Sequence, residues 1–193
     1  MINKGQYCVH NFFLSSELHD ALIIHVFRLR CNIPIDGKTH SGYNEIRITQ
    51  EDMMTFTLTH GDLCITLSPN LIIEDIASPL NTTLNITVAR GDVKMSADMQ
   101  IDIYEFCDFA RDMQNLYDML DGYAAIGEPY GHGMSLSFRG VTGGKIEVGG
   151  SLTRDFGGEQ VCFYDLQFSE VIDQTSIKEL VRDLMAYTQS LPV

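Results

Sequence analysis

At 193 residues, 45% of them hydrophobic and 20% charged, the chain is long enough to bury a sizeable core without a disulfide or metal staple, and its composition argues against disorder. Twenty-six acidic residues against thirteen Lys and Arg give a formal charge of −13, which repels nucleic acid and anionic membrane surfaces and favours a basic partner. The cysteines Cys8, Cys31, Cys64, Cys107 and Cys162 are scattered and odd in number, so reduced thiols are expected.

The start of the chain, Met1 to Phe13, lacks the charged-then-apolar layout of a signal peptide. No apolar run approaches the ~20 residues of a membrane span, so the expected compartment is the cytoplasm. Short β-branched and aromatic runs follow at Tyr7 to Leu14, Ala21 to Arg30, Glu45 to Ile48, Met54 to Thr59 and Leu63 to Ser68, each bounded by turn-forming residues, as strands are. The stretch Asn70 to Leu80, with Pro69 and Pro79, reads as an internal connection. Leu84 to Ala89 and Val93 to Ile101 alternate apolar with polar residues around Arg90-Gly91-Asp92, the pattern of a hairpin with one wet face.

At Asp102 the period changes. Ile103, Phe106, Ala110, Met113, Tyr117 and Leu120 recur in steps of three and four, which predicts a helix. Asp102 and Glu105 stand close to a capping box, and Gly122 is the expected left-handed stop. A turn is expected around Gly127 to Gly133. Alternation then returns in Met134 to Phe138, Lys145 to Leu152 and Val161 to Phe168, joined by glycine corners at Gly140 to Gly144 and Gly157-Gly158, which predicts three antiparallel strands. A final helix is expected from near Asp173 or Thr175, with an apolar stripe of Ile177, Leu180, Val181, Leu184 and Met185, and with Pro192 beyond its end. Strands followed by a helix occur twice, in residues 84–121 and 134–187, without residue-level similarity, so no repeat is inferred. The expected class is α+β in a single domain over residues 1–193, with antiparallel sheets of about ten strands and two amphipathic helices packed on the sheet.

Motifs for chemistry fail on spacing. Gly143-Gly144-Lys145 lacks the earlier glycine and the Ser or Thr of a phosphate loop, with Arg139 and Ile146 in those places. Gly131-His132-Gly133 has Leu136 where a dinucleotide fingerprint needs glycine, and it leads into a strand. His10, His19, His25, His40, His60 and His132 show no helical pairing of a zinc site. No cofactor, metal or catalytic residue is assigned. The aromatic residues interleave with acids and aliphatics, unlike a base-stacking platform. Opposite the apolar stripe of the first helix lie Glu105, Asp108, Asp112 and Asn115, followed by Asp118 and Asp121, with Arg111 the only cation on that side. Like charges such as Asp108 and Asp112 cost an isolated helix a few tenths of a kcal/mol, which a basic partner would relieve.

Over about residues 84 to 188, the segment Ile101-Asp102-Ile103 leading into a helix that ends Leu116-Tyr117-Asp118-Met119-Leu120-Asp121-Gly122, the glycine-punctuated strands, and Phe168 followed by Asp173-Gln174-Thr175 resemble the WapI-type immunity proteins of bacterial polymorphic toxin systems. The first eighty residues form a β-rich part with no motif of that family. The resemblance implies a non-enzymatic cytoplasmic protein that neutralises a cognate toxin domain, often a nuclease. It fixes no residue roles, so Glu105, Asp108, Asp112, Asp118 and Asp121 are partner-binding candidates from charge and helix geometry alone. The alternative reading is a β-rich domain enclosing a small apolar ligand; a third is an enzyme whose residues assemble only in space.

Overall fold

The computed structural model describes residues 54–72, 80–155 and 161–191, with backbone only at 161 and 162, and the backbone of two short strands, β1 (Asn11–Leu14) and β2 (His25–Asn32). The expected strand Glu45 to Ile48, the Gly157-Gly158 corner and Pro192 lie outside the described residues, as does most of the Asn70 to Leu80 connection.

The class is α+β, with two antiparallel sheets and two helices. The first sheet is the meander β3 (Phe56–His60), β4 (Leu63–Leu71), β5 (Thr82–Arg90) and β6 (Val93–Ile101). The helix α1 (Ile103–Met119) follows it. The second sheet runs β7 (Tyr123–Gly127), β8 (Ser135–Val141), β9 (Lys145–Asp155) and β10 (Val161–Asp173), and a 3-10 turn (Gln174–Ile177) leads into α2 (Lys178–Ser190). The first sheet has four strands; the second has the four strands β7 to β10, to which the backbone-only pair β1 and β2 adds beyond β10.

Sequence chemistry accounts for much of this. The two tight hairpins of the first sheet, β3–β4 and β5–β6, turn on Gly-Asp, with φ of +59° at Gly61 and +54° at Gly91. Glycine at the first of two turn residues is what a type II′ hairpin needs. Along β5, alternate residues from Thr82 to Val88 are buried and the intervening ones face outward. β4 runs on past the expected Ser68 to Leu71, through Pro69. Its last β3 partner is Leu67, opposite Phe56, so Pro69 lies where β4 has a neighbour on one side only and a missing N–H is tolerated. Gly143 and Gly144, at φ of +82° and +71°, form the β8–β9 corner.

α1 starts as its sequence predicts. Asp102 caps it, its carboxylate accepting from the Tyr104 N–H at 2.8 Å. A second free N–H, that of Ile103, donates to the buried Asn81 side chain at 2.9 Å, so the residue just before β5 also holds the helix start. Glu105 is exposed, and no bond from it closes the capping box. The stop comes two residues earlier than expected: Leu120 takes the left-handed conformation at φ 54° and ψ 19°, its N–H bonding to the Leu116 carbonyl at 2.9 Å, and Gly122 follows with its own positive φ of +109°. The reason is docking. The Gly122 carbonyl is committed to the Gly140 N–H at 3.0 Å, and a side chain at Gly140 would meet the Leu120 carbonyl oxygen at 2.7 Å, so β8 clamps the helix end.

The apolar stripe is wider than predicted, because Phe109 and Leu116 are buried along with Ile103, Phe106, Ala110 and Met113. Each helix packs on the sheet it does not follow: α1 lies beside β7 and β8, α2 beside β3, and the two helices touch each other. Phe56, Phe106 and Tyr187 meet at this junction, with ring centroids 5.4–6.4 Å apart. Buried apolar side chains from both sheets and both helices form one continuous cluster. The two four-strand-plus-helix units thus share one architecture, although no repeat shows in their residues.

Candidate functional site

Among the described residues, three groups of polar side chains are candidates for function. The first is the acidic side of α1. Glu105, Asp108, Asp112, Asp118 and Asp121 are all exposed. At 3.6 residues per turn Glu105, Asp108 and Asp112 fall within about 60° of one another, whereas Asp118 is rotated by about 110° from them. Asp121 lies beyond the helix end. The candidates therefore divide into an N-terminal group and a C-terminal group. Arg111 pairs with Asp108 at 2.7 Å, Gln114 donates to Asp118 at 2.9 Å, and Asp121 accepts from the Gly122 N–H at 2.9 Å. Exposed pairs of this kind are worth at most about 1 kcal/mol. Glu105 suits the positive N-terminal end of the helix dipole, but Asp118 sits in the last turn, which has no cation. Close by, Met119 and Tyr123 are 75% and 60% exposed, apolar surface beside the carboxylates of the helix end.

The second place lies between the sheets. Arg90, at the end of β5, reaches Glu170 of β10 at 2.6 Å and Asp62 of the first hairpin turn at 3.5 Å. His60 Nδ1 and the Ser176 hydroxyl are 2.9 Å apart beside it. The Glu170 side chain is only 12% exposed, and burial raises its carboxyl above the ordinary range even though Arg90 and His60 pull the other way. The adjoining void, lined by Leu63, Val88, Val93 and Phe168, has a volume of about 10 Å³, room for one water and too small for an apolar ligand. Because the folded value is raised, the unfolded chain loses the Glu170 proton first as pH rises. The contribution of this group to stability is therefore present below the ordinary carboxylate range and lost as pH climbs through the folded value. Urea midpoints of wild type and Glu170→Gln, compared from about pH 4 to about pH 7, are expected to diverge, with wild type falling relative to the variant. Parallel profiles would mean that Arg90 cancels the burial.

The third place is a groove of about 400 Å³ on the outer face of the second sheet. Its floor is the cross-strand row Ser137, Gly149, Ser169, with Ser135 alongside. Its wall is the adjoining row Tyr123, Arg139, Glu147. Arg139 donates to Glu147 through Nε at 3.0 Å and through a second, shorter contact from Nη2; Ser169 donates to the other carboxylate oxygen at 3.0 Å. These bonds, Arg139 first, hold the Glu147 carboxyl below its ordinary range. Sequence reading missed the groove because its paired members are 8 to 22 residues apart and only strand register aligns them. It likewise missed Glu170, which reads as one more acid in an alternating strand.

The two glycine motifs are structural: Gly143-Gly144 forms a hairpin corner, and the Gly131-His132-Gly133 turn is held by Glu128, which accepts from the His132 N–H at 2.9 Å. Among the described residues no group of three His, Cys, Asp or Glu could hold a metal ion, and no helix is long and apolar enough to cross a membrane. In comparison with known proteins, the chain matches no family model, no curated protein and no solved structure.

Proposed function

We propose that this protein is a non-enzymatic acidic binding protein that docks a basic polypeptide against α1, acting as an immunity protein toward a toxin domain of nuclease type. The observation that carries the reading is the exposure of all five candidate carboxylates along and just beyond α1, in a chain of net charge −13. Two of them, Asp118 and Asp121, stand at the negative end of the helix dipole, where no cation offsets them on the helix itself. A cationic partner would relieve that repulsion, and the field of the whole molecule would speed its approach. Met119 and Tyr123 supply the exposed sulfur and aromatic surface on which interface affinity commonly rests. The resemblance of residues 84–188 to WapI-type immunity proteins names the kind of partner.

The test is capture of basic toxin domains by the immobilised protein, followed by titration calorimetry at low and high salt. The triple variant Asp108→Lys, Asp112→Lys, Asp118→Lys is expected to weaken binding at least about tenfold and to flatten its salt dependence. Unchanged affinity and salt dependence would place the interface elsewhere. Failure of a folded bait to retain any basic toxin domain would discard the immunity reading itself.

A further inference from the structure

The groove on the outer face of the second sheet shares Ser169 with the lining of the inter-sheet void and includes Tyr123, just beyond the end of α1. Its volume of about 400 Å³ falls in the small-ligand range of ~300–1,000 Å³. The chemistry of its lining selects among ligands. Arg139 and Glu147 neutralise each other across adjacent strands, so an incoming anion meets the carboxylate and an incoming cation meets the guanidinium. Neither ion gains what it would gain at an unpaired charge. An apolar ligand would strip water from three serine hydroxyls and from that ion pair without replacing their hydrogen bonds.

A neutral molecule rich in hydroxyls has none of these problems. The guanidinium has five N–H donors, of which two are engaged by Glu147, and the remainder can donate to ligand oxygens. The carboxylate retains lone pairs that can accept from ligand O–H groups, and bonds to charged partners are the stronger kind. The Ser137 hydroxyl donates to the Gly149 carbonyl at 3.3 Å and is left able to accept. Tyr123, 60% exposed on the edge strand, offers a ring face for the C–H side of a sugar and a phenol for its rim. Gly149 keeps the floor low between Ser137 and Ser169, where a larger side chain would occupy the space.

We propose that this groove binds a neutral saccharide of one or two pyranose rings, with Arg139 and Glu147 holding vicinal hydroxyls and Tyr123 stacking on the ring. The groove is open, so the expected dissociation constant is roughly 1–10 mM. The test is amide-resolved NMR titration of the intact chain with glucose, galactose, N-acetylglucosamine, maltose and cellobiose, with inorganic phosphate and spermidine run in parallel. At least one sugar is expected to give saturable shifts centred on Ser137, Arg139, Gly149 and Ser169. Ser137→Val, which fills the floor with a residue that favours strands, is expected to weaken binding at least about tenfold. Tyr123→Ala should do the same at the wall, and spectral dispersion shows that each variant is folded. Silence from every sugar, shifts centred elsewhere, undiminished binding in folded Ser137→Val, or saturation by phosphate or spermidine in place of the sugars would each overturn the proposal.

Discussion

Replacing Phe106 with alanine is expected to cost about 3–5 kcal/mol of folding stability, a large share of the roughly 5–15 kcal/mol that a domain possesses. The ring is fully buried on α1 and lies 6.4 Å from Phe56 of β3 and 6.2 Å from Tyr187 of α2. Three elements far apart in sequence therefore share one aromatic junction, and the hole left by truncation cannot close by moving one of them alone. Urea or guanidinium unfolding measures the loss. Tyr187 provides a second readout: burial raises its phenol above the ordinary value, and water entering the hole should bring it back down. A loss under about 1 kcal/mol, with the Tyr187 titration unchanged, would mean that the junction is not a shared core.

Gly150→Ala is expected to destabilise by about 1–3 kcal/mol despite adding a single methyl group. That methyl would stand 2.5 Å from the Ser135 carbonyl oxygen and 3.0–3.2 Å from the Phe168 ring. The ring can turn, but the carbonyl belongs to the β8 backbone, so the two strands must separate. Gly143→Ala makes the useful comparison. Nothing lies within 4 Å of its missing side chain, and its cost should come from the positive φ alone. Thermal or denaturant midpoints of the two variants separate crowding from backbone strain, and equal losses would count against the close approach of β8 and β9.

Local signals made part of this fold legible in the sequence. The β5–β6 hairpin announces itself through alternation and a Gly-Asp turn, and α1 through its stripe and the Asp102 cap. Tyr123–Gly127 was missed because a five-residue run holding two alanines and a glycine has little strand character of its own; pairing with β8 makes it a strand. Phe109 and Leu116 fell outside the predicted stripe because α1 is covered by a sheet and by a second helix, which widens its buried face. Exposure of the carboxylates on α1 followed from periodicity, but their division into two groups did not, since Asp118 continues the acidic run in sequence while turning away in space. The groove and the Arg90–Glu170 pair depend on register and on contact across 80 residues, and no local pattern encodes either.

The exchange of helices between the two units sets an order on synthesis. As the chain leaves the ribosome, the first sheet can pair as soon as β6 appears, yet the helix that covers β3 is not made until residues 178–190. Phe56 can meet Phe106 once α1 forms, but its other ring neighbour, Tyr187, must wait through the making of the whole second sheet. The aromatic junction of Phe56, Phe106 and Tyr187 is therefore completed last, by the C-terminal helix.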